Sequence, residues 1–333
     1  YQVPLDLLLI LGRLGSGFED RGGAPTIERG YGVMALRENT LGGDSLALAA
    51  SLTQVSTDQL KVDPVANIRG AAAVLDAYAT DAGIDRMAGI EAWAPVVEQY
   101  AGLDKESSQI FTVGVYRYLQ AGSVQSNSKG ETFRIAPQAL SIDPDTLGPP
   151  TARMQSPDYG PAAWDPAASC NYSTATHSSD TIIVHTIEGS YAGAISWFKN
   201  CNSSVSSHYV LAEDGRICQC VLESQTAWHV GCLNSRSIGF EHEGYASSAS
   251  HPTTLYDASA ALARDICNRR GVPKAHNSCP PGILGHVDAN ACVCGGSHWD
   301  PGGGWDWGYY IARVSAGVDA AQLTSHNIPN WLT

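Results

Sequence analysis

Three short segments in the C-terminal half carry side chains that could bind one metal ion together. The first is a run of β-branched and apolar residues ending in His185, the second is Gly285-His286, and the third holds His298 and Asp300. Two imidazoles and one carboxylate are the ligand set of a catalytic zinc ion that leaves a fourth position open for water. Convergence of these segments in the fold would therefore predict a hydrolase.

Each of these residues also has a plainer interpretation. A histidine at a strand end, such as His185, is usually a hydrogen-bonded core residue, and His286 could be a solvated loop residue. Asp300 precedes Pro301, a pairing that commonly starts a turn. His298 is chemically suitable as a rival third ligand. Spacing alone leaves these alternatives open.

The residues between the candidate ligands resemble those of the zinc-dependent N-acetylmuramoyl-L-alanine amidases, the type 2 amidases whose family includes the peptidoglycan recognition proteins. The resemblance covers roughly residues 160 to 315, and six motifs follow in the family's order: VHTIEGSYAGAISWF (184–198), SSHYVLAEDG (206–215), AWHVG (227–231), SIGFEHEG (237–244), GHVDAN (285–290) and HWDPGGGWDW (298–307). It implies that His185, His286 and Asp300 are zinc ligands.

The same resemblance implies catalytic helpers. Glu241 lies where bacterial members place a glutamate that takes a proton from metal-activated water. His298 replaces a lysine that often precedes the third ligand by two residues, so we expect it to stabilise the oxyanion when protonated and to donate a proton. Ser207 occupies the position of a tyrosine used by some relatives, which places more weight on Glu241. Glu243 is expected to have at most a supporting role.

Aromatic and polar residues between the ligands are candidates for substrate binding. Trp228 and His229 in AWHVG, together with Trp197, could line the cleft, because flat aromatic faces suit sugars and short peptides. Asn234 is a candidate contact for the stem peptide. Core packing is an equally good interpretation of Trp197. The implied ligand is peptidoglycan or its muropeptide fragments.

Residues 1 to 122 have the three- and four-residue apolar spacing of helices and predict an all-α domain. They resemble the lysozyme-like fold of lytic transglycosylases, in which the first helix ends with a catalytic glutamate followed by serine. Here Gly15 precedes Ser16, and glycine cannot donate a proton. Glu19 and Asp20 are expected to be solvated surface charges. The resemblance therefore implies a catalytically inactive domain that binds glycan or packs against its neighbour.

From residue 180 onward, short β-branched runs alternate with helical ones, which predicts an α/β domain with a mixed sheet flanked by helices. The predicted strands are 181–184, 208–212, 217–222 and 237–240, and the predicted helices are 192–198 and 255–270. The expected organisation is a helical domain over 1–122, a Pro/Gly/Ser-rich linker over 123–165, the amidase domain over 166–320 and a tail over 321–333.

Charge and hydropathy exclude some classes of protein. A net charge of -13 with 20 Lys and Arg argues against nucleic-acid binding, which requires a basic face. No run of about 18 apolar residues exists, so we expect no membrane-spanning helix. The chain begins at Tyr1 without a signal-like segment, and we expect a mature protein that is secreted, extracellular or associated with the cell wall.

All nine cysteines follow residue 169. In an oxidising compartment they predict disulfides with at least one thiol left over, because nine is odd. Links between the two Cys-x-Cys segments (218–220 and 292–294) and between Cys267 and Cys279 are plausible pairings. A structural zinc cluster of Cys292 and Cys294 with His286 and His298 is the competing interpretation.

These observations give three functional hypotheses. The first is an extracellular zinc amidase that cuts the amide between N-acetylmuramic acid and L-alanine. The second is a peptidoglycan-binding protein without catalysis, although binding-only relatives typically lose one ligand and this chain keeps all three. The third adds glycan cleavage by the N-terminal domain, and Gly15 argues against it.

Overall fold

The computed structural model of the chain describes residues 1–38, 43–149 and 154–316. The chain folds into two compact units. The N-terminal unit comprises Tyr1–Ala152 and Glu188–Ser196, and the C-terminal unit comprises Arg153–Ile187 and Trp197–Thr333. The predicted tail over 321–333 lies outside the described residues.

Helices dominate the N-terminal unit. They are α1 (Leu5–Ser16), α2 (Ser45–Thr53), α3 (Thr57–Val62), α4 (Pro64–Asp81), α5 (Ala94–Ala101) and α6 (Lys105–Ala121). Asp63 caps α4 by accepting hydrogen bonds from the N–H groups of Val65 and Ala66, and Pro64 occupies the first turn, where no N–H is needed. All six of these α-helices lie between residues 5 and 121.

Two small antiparallel sheets correct the expectation of a purely α-helical region. Strand β1 (Gly30–Tyr31) pairs with β2 (Leu36–Arg37), and β3 (Ser123–Ser126) pairs with β4 (Thr132–Ile135). The second hairpin lies inside the segment predicted to be a linker. It is held to the unit because Phe133 stacks on Phe18 with ring centroids 3.9 Å apart. A strand with only one apolar residue, β3, gave little sequence signal.

The same hairpin explains why Glu19 is not the solvated surface charge that the sequence predicted. Glu19 is buried, and its two carboxylate oxygens accept hydrogen bonds from the N–H and the hydroxyl of Ser128, both at 2.6 Å. Ser128 lies 109 residues away in the β3–β4 turn. The carboxylate therefore has a structural role in closing this turn.

A second buried carboxylate of the N-terminal unit forms an ion pair. The Arg37 guanidinium donates a hydrogen bond of 2.6 Å to Glu28, and both side chains are at most 4% exposed. Ser190, in the Glu188–Ser196 segment of this unit, donates to the other Glu28 oxygen from its N–H at 2.9 Å and from its hydroxyl at 2.6 Å. The charge of Glu28 is thus satisfied entirely by protein groups.

A six-stranded mixed sheet forms the centre of the C-terminal unit, as predicted. Its strands are β5 (Ala163–Trp164), β7 (Thr181–Thr186), β8 (Tyr209–Leu211), β9 (Ile217–Gln219), β11 (Ser237–His242) and β12 (Gly282–Gly285). They lie in the order β12-β7-β11-β8-β9-β5. The pairs are parallel except for β8 with β9. A short pair, β6 (Tyr172–Ser173) with β10 (Thr226–Ala227), lies outside this sheet.

Strand β7 is buried at all six positions, as expected for the interior of a parallel sheet. Ile182 and Val184 join the hydrophobic cluster formed with α8 (Thr253–Arg270), while Ile183 belongs to a cluster on the opposite face. The remaining helices are α7 (Tyr191–Lys199), α9 (His286–Ala289) and α10 (Trp307–Ala316). The alternation places His185 on the face opposite α8.

Three disulfides cross-link the C-terminal half, and their pairing differs from the one that the sequence suggested. They join Cys170 to Cys201, Cys232 to Cys294 and Cys279 to Cys292. Cys218, Cys220 and Cys267 are free and buried, because β9 and α8 direct them into the core.

Within the described residues, no helix combines the length and the hydrophobicity needed to cross a membrane.

Candidate active site

The three predicted ligands meet at the carboxyl edge of the parallel strands. His185 lies in β7 one residue before its end, and His286 directly follows β12, which is the parallel neighbour of β7. Asp300 comes from a loop that is fixed to α9 by a hydrogen bond of 3.0 Å from the Val287 N–H to the Asp300 carbonyl. Parallel strands end at one edge of a sheet, which is why residues over a hundred positions apart meet.

Each of the two imidazoles lies close to a different oxygen of the Asp300 carboxylate. His185 Nδ1 lies 3.0 Å from Asp300 Oδ2, and His286 Nδ1 lies 3.4 Å from Asp300 Oδ1. One ligand atom from each residue can be chosen so that all three lie within 4.8 Å of one another, and all three residues are at most 8% exposed. The predicted ligand set is therefore assembled and buried.

The protonation of this group suits a cation. Burial alone would raise the pKa of Asp300, but the adjacent imidazoles of His185 and His286 outweigh it and hold that pKa well below its usual range. Burial lowers the pKa of His185, with Asp300 offsetting part of the effect. An ionised carboxylate beside a neutral imidazole is the form in which both side chains bind a metal.

The donor set fits zinc better than the other common ions. Two imidazole nitrogens and one carboxylate oxygen, with no thiolate, correspond to the three-ligand arrangement of catalytic zinc sites. Calcium and magnesium prefer oxygen ligands. Cys292 and Cys294 are both in disulfides, which removes the competing interpretation of a structural cluster with thiolate ligands.

The two predicted catalytic helpers lie beside the cluster. Glu241 is the register partner of His185 in the parallel pair of β11 with β7, so the two side chains project from the same face of the sheet. The His298 ring stacks on His286 with centroids 4.3 Å apart, and its Nδ1 lies 3.7 Å from Asp300 Oδ1. The His298 side chain is 69% exposed. Glu241 therefore shares the sheet face of His185, and His298 lies next to Asp300.

His229 and Asn234, predicted to bind substrate, make hydrogen bonds inside the protein. His229 Nδ1 lies 3.0 Å from His185 Nε2, and His229 Nε2 lies 3.2 Å from the Ser237 hydroxyl. Burial and the adjacent imidazole of His185 hold the pKa of His229 well below its usual value. The Asn234 side-chain oxygen accepts hydrogen bonds from the N–H groups of His229 and Val230.

Three further residues highlighted by the sequence are at least partly buried. Trp197 is in α7, and Trp228 follows β10; both are partly buried. Glu243 is buried and accepts a hydrogen bond of 2.9 Å from the Glu213 N–H, which gives it a structural role. Trp299, which was not among the predicted site residues, is 54% exposed although it immediately precedes Asp300.

Ser237 is a further residue of the site that was not predicted from the sequence. Its hydroxyl is 2.8 Å from the Leu233 carbonyl oxygen and faces the ring of His229. In the sequence, a serine at the start of a strand belongs to no recognisable motif. The clue that did exist was its place at the head of SIGFEHEG, the segment that contains Glu241.

The mixed sheet and the buried His–His–Asp group together define an α/β protein with a group of side chains that could hold a metal ion. Residues 175–303, which contain all three predicted ligands, match the family described as N-acetylmuramoyl-L-alanine amidase. The chain is 40% identical over 171 residues to N-acetylmuramoyl-L-alanine amidase A of Achromobacter lyticus, covering 48% of this chain and 97% of that protein. The chain belongs to the N-acetylmuramoyl-L-alanine amidase family.

Other relatives are more distant. The chain is 28% identical over 119 residues to 1,6-anhydro-N-acetylmuramyl-L-alanine amidase AmpD of Escherichia coli (strain K12), covering 33% of this chain and 59% of that protein. A crystal structure of a Se-Met AmpD derivative is 20% identical, with a TM-score of 0.40, over 49% of this chain and 99% of that chain.

Proposed function

We propose that this protein hydrolyses the amide bond between N-acetylmuramic acid and L-alanine in peptidoglycan, with zinc held by His185, His286 and Asp300. The observation that carries the proposal is the buried meeting of these three side chains at the carboxyl edge of the sheet. Membership of a family whose named relatives are amidases supplies the reaction. The complete ligand set favours an enzyme over a protein that only binds peptidoglycan.

In this proposal Glu241 and His298 move protons. When bound, zinc supplies a Lewis acid that polarises the scissile carbonyl and acidifies water. Glu241, beside His185 on the same face of the sheet, takes the proton of the attacking water and passes it to the leaving amine. His298, stacked on His286 and open to solvent, donates a hydrogen bond to the carbonyl oxygen as negative charge develops there.

Purified sacculi provide the test. We expect the zinc-loaded protein to release stem peptides with a new α-amine on L-alanine, a chelator to abolish release and added zinc to restore it. Glu241→Gln should lower the rate by about 10²- to 10⁴-fold, because a general base is lost. Its zinc content should remain normal. Glu106→Gln, an exposed change in α6, is the control. Zinc-loaded protein that releases no amine would refute the proposal.

The N-terminal unit is proposed to be a lysozyme-like domain without glycosidase activity. Gly15 is buried at the end of α1, and a Cβ added there would lie 2.8 Å from the Cβ of Ala35. No glutamate fits at that position unless Ala35 moves. With an amidase-inactive Asp300→Asn variant, we expect no anhydromuramyl or new reducing-end products from sacculi. Their appearance would assign glycan cleavage to this unit.

We further propose that the protein acts outside the reducing cytosol. Three disulfides, two of them formed by cysteines that flank His286 in the sequence, persist in oxidising compartments. Peptidoglycan or its muropeptides would be met there. Secreted protein recovered with the three disulfides intact is the expected result, and fully reduced cysteines in protein purified from its native host would contradict it.

A further inference from the structure

A chain of hydrogen-bonding groups runs from the ligand cluster to a backbone carbonyl. His185 Nε2 is 3.0 Å from His229 Nδ1, His229 Nε2 is 3.2 Å from the Ser237 hydroxyl, and that hydroxyl is 2.8 Å from the Leu233 carbonyl oxygen. All four residues belong to the C-terminal unit. The chain begins on the ring nitrogen of His185 that faces away from Asp300.

The direction of the protons follows from the last member of the chain. A backbone carbonyl can only accept, so the single hydroxyl proton of Ser237 is used on Leu233. The Ser237 oxygen then accepts from His229, which places the His229 proton on Nε2 and leaves its Nδ1 as an acceptor. His185 must therefore carry its proton on Nε2, and its Nδ1 is left with a lone pair.

That lone pair faces Asp300 Oδ2 at 3.0 Å. Two acceptors at this distance repel each other unless a cation lies between them. The arrangement of protons that His229 and Ser237 impose thus converts the pair into a ligand site and disfavours a simple histidine–aspartate hydrogen bond. Hydrogen-bonding partners of this kind fix the tautomer and orientation of metal-binding histidines.

The strand beside His229 is built to admit its ring. A Cβ added to Gly239 would lie 2.6 Å from His229 Cγ and 2.7 Å from its Nδ1, so any larger residue in β11 would displace the imidazole. Asn234 fixes the backbone at the same point by accepting from the His229 N–H at 3.0 Å. The position of His229 is therefore determined by two neighbouring segments.

We infer that His229, directed by Ser237 and the Leu233 carbonyl, is a positioning residue that holds His185 in the tautomer that binds the metal through Nδ1. The inference rests on the zinc site of the proposed function, but it concerns metal affinity and proton position, which are measured without any substrate.

Zinc competition against a chromogenic chelator tests the inference. His229→Phe removes the acceptor and should weaken zinc binding by about 10- to 100-fold, the range for residues that hydrogen-bond to a metal ligand. His229→Asn, whose side-chain oxygen can replace Nδ1 as an acceptor, should restore part of the affinity. His177→Gln, which changes another partly buried histidine of the unit, should leave it unchanged. Equal affinities in His229→Phe and wild type would overturn the inference.

A second measurement does not depend on whether a variant folds or whether zinc binds. Long-range ¹H–¹⁵N correlation spectra of the wild-type protein report which nitrogen of each histidine carries the proton. We expect His229 to be protonated on Nε2 in both the metal-free and the zinc-loaded protein. A proton on His229 Nδ1 would reverse the chain and overturn the inference. Tight zinc binding and this tautomer without amide hydrolysis would contradict only the proposed function.

Discussion

Glu28 in the N-terminal unit and Asp300 in the C-terminal unit are both buried carboxylates, yet their partners differ in kind. Glu28 is neutralised by the guanidinium of Arg37 at 2.6 Å, a permanent charge supplied by the protein itself. The groups facing Asp300 are imidazoles, and burial keeps His185 neutral. Glu28 is thus neutralised within the protein, whereas in the proposed function Asp300 is neutralised by a bound zinc ion. Burial of charge alone therefore does not mark a site; the nature of the partner does.

The division extends to the composition of the two halves. All ten histidines and all nine cysteines follow residue 169, so the first half has neither a group that titrates near neutral pH by its ordinary pKa nor a thiol. Its buried polar groups are carboxylates, guanidinium groups, hydroxyls and amides. Mild acid and chelators should thus act mainly on the C-terminal unit.

Acid should produce the largest difference between the units. Burial lowers the pKa of His208 to about 4 and that of His242 to about 3, from an ordinary value of 6.5. Below pH 6.5 the unfolded chain binds these protons while the folded chain does not, so stability is present above this pH and lost as the pH falls. The two protonations together should lower the stability of the fold by about 5 kcal/mol at pH 4.5.

Thermal unfolding followed by calorimetry at pH 7.0, 5.5 and 4.5 measures this effect. The transition of the C-terminal unit should move to lower temperature, with a much smaller shift for the N-terminal unit. Equal shifts of both transitions would break the comparison.

Asp300→Asn tests the externally supplied charge. The variant should bind no zinc at micromolar concentration and should lose activity on sacculi by at least about 10³-fold, equal to about 4 kcal/mol of transition-state stabilisation. Zinc analysis and amine release measure the two effects. Asp58→Asn, an exposed change in α3, is the control. Retained zinc in Asp300→Asn would show that another group completes the site.

Arg37→Met tests the internally supplied charge. Removing the guanidinium leaves Glu28 buried without a cation, and we expect a loss of about 3 kcal/mol from the N-terminal unit. The double variant Glu28→Met/Arg37→Met should recover much of that loss, because the uncompensated charge is gone. Urea unfolding measures both. A single variant as stable as wild type would mean that Ser190 alone satisfies Glu28.

Two glycines give the smallest effect and the closest comparison. Gly83 follows α4 with φ 66°, Gly271 caps α8 with φ 72°, and a Cβ added at either position meets nothing within 4 Å. Alanine at each should cost about 1 kcal/mol through backbone strain alone. Calorimetry should show each change in the transition of its own unit. Zinc affinity should stay constant in both variants.

The ligand set was predicted through the family resemblance, and the strand pattern explains why two of its members could meet. β-branched runs identified β7, β8, β9 and β11, and His185 and His286 sit at or directly after strand ends. Parallel pairing then brings those ends to one edge. All three assignments required the family resemblance, because a histidine at a strand end, a histidine in a loop and an aspartate before proline each have a plainer interpretation.

The sequence could not predict how deeply a side chain is buried or which distant residues it contacts. The contact of the His229 ring with His185 was not predicted, because nothing in a loop motif indicates which way a side chain points. Glu19 was expected on the surface because its partner, Ser128, is 109 residues away in a hairpin with little apolar content. The disulfide pairing suggested from the sequence was wrong for the same reason, because pairing depends on the three-dimensional path of the chain.

The free thiols of Cys218 and Cys220, whose sulfur atoms lie 3.8 Å apart, affect how this protein is inactivated by heat. In the folded chain they are sealed from the three disulfides. Once the sheet opens, either thiol can attack a disulfide and reshuffle the cross-links, which leaves a chain that no longer refolds on cooling. Resistance to heat inactivation then depends on the rate at which β9 becomes exposed. A thiol-blocking agent present during heating would make inactivation reversible.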